Sequence, residues 1–389
     1  MKRHVARTSS PSSDSGVVAA SAPAGAGERN APSDREARIL GIIETARAKR
    51  AKFRDARITM AHGAGGKATQ GLIEGLLLPA FASPALDAMG DAGIVAAAGT
   101  ELALTTDSFV VKPIRFPGGS IGELAVNGTV NDLAVAGARP LALTLAMILE
   151  EGLAAEDLAA EVAAIAAAAE GAGVEVVAGD TKVVERGHAD AMYLTTTGLG
   201  LRDPRAALSP DALRPGDHLL VSGPVGAHGM AIMLARGEFE LDAEIASDTR
   251  SLWPMVDALL DAAGGGLRCL RDATRGGVAS VLNELARSSG VAMIVREAAV
   301  PVAPAVRGAA EILGIDPLYV ANEGVLVAAV APEAAEAALG AMRGAPGGEG
   351  AAAIGEVRTE PPGMVLVETA FGGKRVMDQL VGDPLPRIC

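Results

Sequence analysis

The sequence is poor in cysteine, with only Cys269 and Cys389 among 389 residues. Two cysteines cannot form the disulfide framework of a small secreted domain. Together with five scattered histidines they indicate no zinc or iron site. This composition favours a reducing compartment, and we expect the protein in the cytoplasm.

Aromatic residues and long apolar runs are also scarce. The chain has six Phe, two Tyr and one Trp, although 49% of its residues are hydrophobic. Its core must therefore consist of Ala, Val, Leu and Ile, which suits helices packed against strands. No apolar run approaches the roughly 20 residues of a membrane span, so we expect no membrane partner.

Basic residues are outnumbered by acidic residues over most of the chain. Residues 1–57 hold twelve Lys or Arg and six Asp or Glu, a net charge of +6. Since the whole chain has a net charge of −13, residues 58–389 carry −13 − 6 = −19. Nucleic acid is therefore not an expected partner, because phosphate backbones are bound by Lys and Arg. The basic leader 1–57 is rich in Ser, Ala, Gly and Pro, which predicts disorder, with a possible helix over 34–57.

From Ile58 onward, strand-like runs alternate with Ala-rich helical runs, which is typical of an α/β (α+β) protein. The segment "LRDPRAALSPDALRPGD" at 201–217 breaks both periodicities and predicts a domain boundary. A final pair of strands is expected at roughly 352–376. The predicted parts are an N-terminal domain at 58–205, a C-terminal domain at 215–378 and a mobile tail at 379–389.

A glycine-rich loop, "HGAGGK", precedes an amphipathic helix and leaves backbone N–H groups free to bind phosphate. It is not a Walker A motif, because Ala68 follows the lysine. An ordinary surface turn is the alternative. The candidate residues of this loop are His62, Gly63, Gly65, Gly66 and Lys67.

Acidic residues lie at strand ends or in strand-to-helix connections, where carboxylates from separate elements can converge on Mg²⁺ and nucleotide phosphates. Asn131 and Asp132 are adjacent in an apolar helix and need a partner or a ligand. Each aspartate alone could equally be a cap or turn residue, and Asn131 could satisfy a core hydrogen bond. The candidate aspartates are Asp91, Asp107, Asp132 and Asp180.

Lys182 in "GDTKVVERG" and Glu323 in "YVANEGVLV" each border a strand that we expect to be buried. Such a pair could stabilise charge and accept a proton, or it could be a structural ion pair between the domains. Asp272 and Arg275 in "RDATRGG" are further cleft candidates.

The chain ends on a cysteine in "VGDPLPRIC". An exposed thiol oxidises and exchanges readily, so either Cys389 is an ordinary residue at a frayed end or a group is attached to it. Cys269, beside an apolar run, is expected to pack in the core.

Taken together, the motifs "AHGAGGKATQGLI", "NGTVNDLAVAGARPLALT", "GDTKVVERG", "VSGPVGAHGMAI", "RDATRGGV", "DPLYVANEG" and the terminal "PRIC" resemble the HypE family of hydrogenase maturation factors. The resemblance runs from about Ile58 to the last residue. It implies a PurM-like two-domain architecture, in which an N-terminal sheet domain dimerises and a C-terminal domain forms an α/β sandwich. The superfamily uses ATP and includes aminoimidazole ribonucleotide synthetase.

The resemblance also implies an activity, that of a carbamoyl dehydratase. A carbamoyltransferase, HypF, would load a carbamoyl group onto Cys389. ATP-dependent dehydration would convert this group to a thiocyanate. The cyanide would then pass to an iron held by a HypC–HypD scaffold complex, for assembly of a nickel-iron hydrogenase.

Site residues carry over by the same resemblance. Lys67 and the glycines of the loop would hold phosphates, and Asp91, Asp107 and Asp132 would organise Mg²⁺. Asn131, Asp132 and Asp180 would line the nucleotide cleft, together with His62 of the loop motif. Lys182 and Glu323 would stabilise charge and take the amide proton.

Two other classes of function remain open at this point. One is a small-molecule kinase or synthetase of the same superfamily, which would need no terminal thiol. A selenophosphate synthetase would be expected to place a cysteine in the glycine loop, and "HGAGGK" has none. The other class is a non-catalytic scaffold for maturation partners.

Overall fold

The computed structural model describes residues 53, 55–81, 83–237 and 243–380, and these belong to one compact unit. The leader helix expected at 34–57 lies almost entirely outside the described residues. Cys389 lies outside them as well. Among the helices of the described residues, none combines the length and the apolar character needed to cross a membrane.

The first half of the chain contains seven strands among its described residues: β1 (Gly93–Ala97), β2 (Thr100–Phe109), β3 (Arg115–Phe116), β4 (Gly119–Ser120), β5 (Ala138–Glu150), β6 (Glu175–Val184) and β7 (Met192–Arg202). Five of them form one sheet in the order β1-β2-β7-β5-β6, in which only β5 and β6 run parallel. The other two, β3 and β4, pair as a separate small hairpin.

Helices cover one face of this sheet. The helices of this half are α1 (Lys67–Leu72), α2 (Leu78–Phe81), α3 (Pro84–Asp87), α4 (Ile121–Val135) and α5 (Ala155–Ala172), with a π-helical turn at Ile73–Leu77, and α4 makes the main contact with the sheet. Helix α4 is apolar on nearly all sides, as expected of a buried helix, and lies between the sheet and α5. Gly198 of β7 permits this close packing, because a Cβ there would lie 2.8 Å from the Thr129 methyl group.

The opposite face of the same sheet is open in the described chain. Residues paired across a ladder project from the same face. Ile148 of β5 pairs with Tyr193 of β7 on one side and with Lys182 of β6 on the other. Ala146 of β5 pairs in the same way with Thr195 and Asp180. The exposed edge strand β6 therefore presents Asp180 and Lys182 on the face that no helix covers.

The second half of the chain forms a seven-stranded sheet. Its strands are β8 (His218–Val221), β9 (Leu267–Asp272), β10 (Ala292–Arg296), β11 (Leu326–Val330), β12 (Ala352–Arg358), β13 (Met364–Glu368) and β14 (Lys374–Met377). Their order is β14-β13-β10-β12-β8-β11-β9, and β10 and β13 run parallel.

Helices lie on both faces of the second sheet: α6 (Ala227–Ala235), α7 (Trp253–Ala263), α8 (Gly277–Ser288), α9 (Pro304–Leu313) and α10 (Ala335–Gly344). On β8, Leu219 packs into the apolar cluster that includes α8, and its neighbour Leu220 packs into the cluster that includes α7 and α10. This alternation is that of a sheet buried on both sides.

One expectation for this half needs correction. The final pair of strands expected at roughly 352–376 is a set of three, because a short turn at Thr369–Gly373 separates β13 from β14. Helices α7 and α9 and strands β9 and β10 were not predicted individually. The domain limits at 58–205 and 215–378 stay a prediction.

Candidate active site

Three carboxylates converge where the two halves of the chain meet. Asp91 precedes β1, Asp132 lies in the last turns of α4, and Asp272 ends β9. One oxygen atom from each lies within 4.8 Å of the others, close enough for the group to hold a metal ion. Asp107 of β2 shares a side-chain hydrogen bond with Asp132 and extends the cluster.

Burial and neighbouring negative charges make the carboxyls of Asp107, Asp132 and Asp272 harder to ionise. Burial, followed by the charges of Asp91 and Asp107, raises the pKa of Asp272 to about 8. Burial and the charge of Asp107 also hold the pKa of Asp132 well above its usual value, although Thr105 Oγ1 donates to its Oδ2 at 2.6 Å. A site that disfavours its own negative charge suits a divalent cation with hard oxygen ligands.

One buried arginine, Arg271, forms ion pairs with Asp91 of the cluster and with Glu284. Arg271 Nη1 donates to Asp91 Oδ1 at 2.5 Å, and its Nη2 donates to Glu284 Oε2 at 3.0 Å. The Arg271 side chain is only 9% exposed, so this pairing fixes the Asp91 carboxylate in a largely dry environment.

The glycine loop lies against the second half of the chain. Gly65 has a φ of +77°, and a Cβ there would lie 3.0 Å from the Arg275 Cβ, so the position requires glycine for two reasons. Arg275 Nη1 donates to the Gly63 carbonyl at 3.0 Å. At the start of α1, Lys67 Nζ donates to Asp378 Oδ2 at 2.8 Å.

His62 is buried beside this loop, and both of its ring nitrogens contact the chain. Its Nε2 lies 3.0 Å from Asp55 Oδ2, and its Nδ1 accepts from the Thr59 backbone N–H at 3.0 Å. The ring packs edge-on against Phe53. These contacts anchor the approach to the loop. A direct contact of His62 with nucleotide stays a prediction.

Asn131 uses its side-chain amide to hold backbone of the second half of the chain. Its Nδ2 donates to the carbonyls of Arg250 and Glu323, at 2.9 and 3.2 Å, and its Oδ1 accepts from the Leu252 N–H at 2.8 Å. This is the hydrogen-bonded core role that the sequence left open. A direct role of Asn131 in nucleotide binding stays a prediction.

Glu323 is buried close to the acidic cluster. Its side chain borders Gly128 of α4, where a Cβ would lie 3.8 Å from Glu323 Oε2. Burial, followed by the charges of Asp272, Asp248 and Asp107, raises the pKa of Glu323 well above its ordinary value. A carboxylate in such surroundings is a stronger base than one in water.

Lys182 and Asp180 do not join this group within one chain. Lys182 Nζ pairs with Asp180 Oδ2 at 2.8 Å on the open face of the first sheet. Asp107, by contrast, is aligned with buried Thr196 on the face that α4 covers. The expectation that Lys182 borders a buried strand is wrong, because both side chains lie on an exposed edge strand.

The sequence did not predict the roles of several residues in the site. Asp272 was a cleft candidate but not a predicted metal ligand, and Arg271 was not singled out. Both end an apolar strand in "CLRDATRGG", a placement that marks charged residues at a sheet edge. Asp248, whose carboxylate contacts the backbone of Glu323, lies in an irregular segment that carries no periodic signal.

Comparisons with known proteins agree with the two halves of this structure. The family model for the N-terminal domain of AIR synthase related proteins matches residues 89–202, and the model for their C-terminal domain matches residues 214–367. The PurM-like two-domain fold expected from the motifs is therefore confirmed.

Individual relatives are similar over nearly the whole chain. The carbamoyl dehydratase HypE of Rhodobacter capsulatus is 49% identical over 339 residues, which cover 87% of this chain and 99% of the relative. A crystal structure of HypE in complex with ATP is 45% identical, with a TM-score of 0.72, and covers 86% of this chain and 100% of that chain.

A crystal structure of a HypE–HypF complex matches with a TM-score of 0.76 and 45% identity, over 79% of this chain and 99% of that chain. Such identity, sustained over both domains, also confirms the resemblance first drawn from the motifs. The chain belongs to the HypE family of carbamoyl dehydratases, the proteins of hydrogenase maturation.

Proposed function

We propose that this chain uses ATP to dehydrate a carbamoyl group carried on its own Cys389, giving a thiocyanate for the iron of a nickel-iron hydrogenase. The observation that carries the proposal is the cluster of Asp91, Asp132 and Asp272, which lies beside buried Glu323 at the junction of the two halves. This arrangement combines a cation site with a strong base.

The reaction requires that the carbamoyl oxygen become a leaving group, because an amide does not lose water readily in water. Transfer of the ATP γ-phosphoryl group to that oxygen forms an O–P bond, breaks the bond between the γ-phosphorus and the β,γ-bridging oxygen, and releases ADP. The C–O bond then breaks and the oxygen departs as phosphate, while the nitrogen loses its two protons and a C≡N bond forms. Glu323 accepts one of these protons, the other passes to the departing phosphate or to solvent, and Lys182 stabilises the developing charge.

The acidic cluster fits Mg²⁺, because its donors are carboxylate oxygens, and a divalent cation would stabilise the ionised forms of Asp132 and Asp272, whose pKa values are raised. Asp91, Asp132 and Asp272 would hold the ion, with Asp107 beside them. Bound there, Mg²⁺ would neutralise charge on the phosphates of ATP.

In this proposal, the glycine loop binds the phosphates of ATP. Backbone N–H groups of Gly63, Gly65 and Gly66 would bind phosphate oxygens, and Lys67 would add a positive charge. Asn131 would act by holding the two halves of the cleft together, through its bonds to the backbone at Arg250 and Glu323.

Homodimerisation over the open face of the first sheet completes the proposal. That face exposes apolar side chains, including Leu104 and Ile148, and monomers seldom leave such a surface uncovered. The sheet separates Lys182 and Asp180 from the acidic cluster of their own chain. A second copy would therefore supply them to the cleft.

Mixed dimers test this arrangement. If Lys182 and Glu323 of one active site come from different copies, then Lys182→Ala mixed with Glu323→Ala regains part of the activity that each variant lacks. A mixture as inactive as the separate variants would contradict a shared site.

The partners follow from the family. HypF would deliver the carbamoyl group to Cys389, and the HypC–HypD complex would receive the cyanide. A complex of HypE with HypF in a relative supports the first of these contacts. The free thiol of Cys389 would persist in a reducing cytoplasm.

The decisive experiment compares Glu323→Gln with the wild type after incubation with HypF, carbamoyl phosphate and ATP. We expect the variant to accept the carbamoyl group and to accumulate it undehydrated, as measured by mass spectrometry of the C-terminal peptide. Glu333→Gln, at an exposed glutamate, is the matched control and should form the cyano product normally. Normal cyano product from Glu323→Gln would refute the assigned role.

A further inference from the structure

The backbone of Glu323 is held by the carboxylate of Asp248, a residue that has no role in the proposed function. Asp248 Oδ1 accepts from the Glu323 N–H and Asp248 Oδ2 accepts from the Gly324 N–H, each at 3.2 Å. Gly324 allows this close approach, because a Cβ at that position would collide with the Asp248 carbonyl oxygen. One carboxylate therefore fixes two successive peptide units.

The other polar backbone atom of Glu323 is held as well. Its carbonyl accepts from Asn131 Nδ2 at 3.2 Å. Strand β11 begins only at Leu326, so Glu323 lies before the ladder that would otherwise order its main chain. Side chains from two distant parts of the sequence replace the hydrogen bonds of the sheet at this residue.

Hydrogen bonds of the neighbouring residue Ser247 fix the position of Asp248. The adjacent Ser247 N–H donates to the Pro117 carbonyl at 2.7 Å, in the turn of the β3–β4 hairpin. Ser247 Oγ accepts from the Thr249 N–H at 3.1 Å and lies 2.8 Å from Nδ1 of buried His228. The segment 247–249 is thus tied to both halves of the chain, and its position is transmitted to Glu323.

We propose that Asp248 is a positioning residue that aims the Glu323 carboxylate at the carbamoyl group. This inference rests on the proposed function of Glu323. A base must lie within hydrogen-bond reach of the proton that it takes, and displacement by about 1 Å can cost on the order of a hundredfold in rate. Two hydrogen bonds from successive peptide N–H groups to one carboxylate supply the required fixation.

Asp248→Asn tests the inference, since asparagine keeps the size but turns an NH₂ group toward one of the two N–H donors. We expect the single-turnover rate of dehydration to fall at least about tenfold. Carbamoyl loading and the dissociation constant of ATP should stay within about twofold of wild type, because the substitution acts on orientation alone.

The matched control is Asp217→Asn, the same exchange at another buried aspartate that accepts a backbone N–H, that of Arg214 at 2.7 Å. It should leave the dehydration rate unchanged. Hydrogen exchange measured by mass spectrometry gives a reading independent of activity. Asp248→Asn should speed exchange in a peptide containing Glu323 and Gly324, and Asp217→Asn should not.

A double variant separates positioning from an independent effect. In the Glu323→Gln background, Asp248→Asn should cause little further loss of rate. A full second tenfold loss there, or a normal rate for Asp248→Asn alone, overturns the inference and leaves the role of Glu323 standing. A normal rate for Glu323→Gln alone instead overturns the proposed function, and the positioning role with it.

Discussion

The carboxyl of Asp272 should make the metal-free protein less stable as the pH rises. Burial and neighbouring carboxylates raise its pKa to about 8, from 3.8 in an unperturbed chain. The folded state therefore holds this proton more tightly than the unfolded state. The stability that results is complete below about pH 4 and is lost as the pH rises through about 8.

The size of the effect follows from linkage. With these two pKa values, the loss between pH 6 and pH 9 is about 2–3 kcal/mol. In a domain pair of this size, that corresponds to about 4 °C in melting temperature. Asp272→Asn removes the carboxyl while keeping its shape, so the variant should gain about this much on the wild type over the interval.

The assay is thermal unfolding in chelator at pH 6, 7, 8 and 9, followed by circular dichroism. The quantity measured is the melting temperature of Asp272→Asn minus that of the wild type, which cancels groups common to both. Asp87→Asn, at an exposed aspartate, is the control and should show a flat difference. Excess Mg²⁺ at pH 8 should stabilise the wild type but not Asp272→Asn.

If the difference in melting temperature between Asp272→Asn and the wild type stays flat or falls with pH, the pKa of Asp272 is not raised in the folded protein. Equal stabilisation of both proteins by Mg²⁺ would show that Asp272 does not hold the ion.

Other predictions concern the surroundings of the cluster. Arg271→Met should lower the free energy of unfolding in urea by about 3 kcal/mol, because Asp91 and Glu284 lose a buried counter-charge; a change below about 1 kcal/mol would argue against this pairing. Ile148→Asp should give monomers by size-exclusion chromatography with an unchanged circular dichroism spectrum, since it places a charge on the open sheet face, whereas persistent dimers would locate the interface elsewhere. Because the pKa of Glu323 is raised, its base form is scarce at low pH, and the single-turnover rate of dehydration should increase as the pH rises from the acidic side; a rate that falls with rising pH there would exclude Glu323 as the base.

Local patterns in the sequence predicted the elements well where periodicity and flanking residues were clear. Buried Asn131 and Asp132 were recognised because polar residues in an apolar helix need partners, and both have them. The predicted convergence of Asp91 with Asp132 is confirmed, but the predicted placement at strand ends or in strand-to-helix connections is wrong for Asp132, which lies inside α4.

Lys182 shows what local patterns cannot supply. The face from which a strand residue projects depends on the pairing register, and a slip of one residue reverses it. The sequence of β6 is apolar enough to suggest burial, yet the strand lies at the edge of its sheet and is exposed. Edge position is a property of topology that no short segment encodes.

Asp248 and Asp272 illustrate a second limit. Contacts such as that between Asp248 and Glu323, 75 residues apart, arise only once the chain has folded. Asp272 ends a strand whose place beside β11 brings it to the cluster. Its neighbours come from distant parts of the sequence, so its raised pKa could not be anticipated from composition.

The most direct test of the central claim is a time course of the C-terminal peptide by mass spectrometry. The full-length protein is first loaded with HypF and carbamoyl phosphate, then freed of nucleotide and mixed with ATP and Mg²⁺. We predict that the carbamoyl adduct on Cys389 converts to a cyano adduct on the same residue, only with ATP, and that Cys269→Ala behaves like the wild type. An adduct on Cys269 or a lysine, or cyano product formed by Cys389→Ala, would contradict the account.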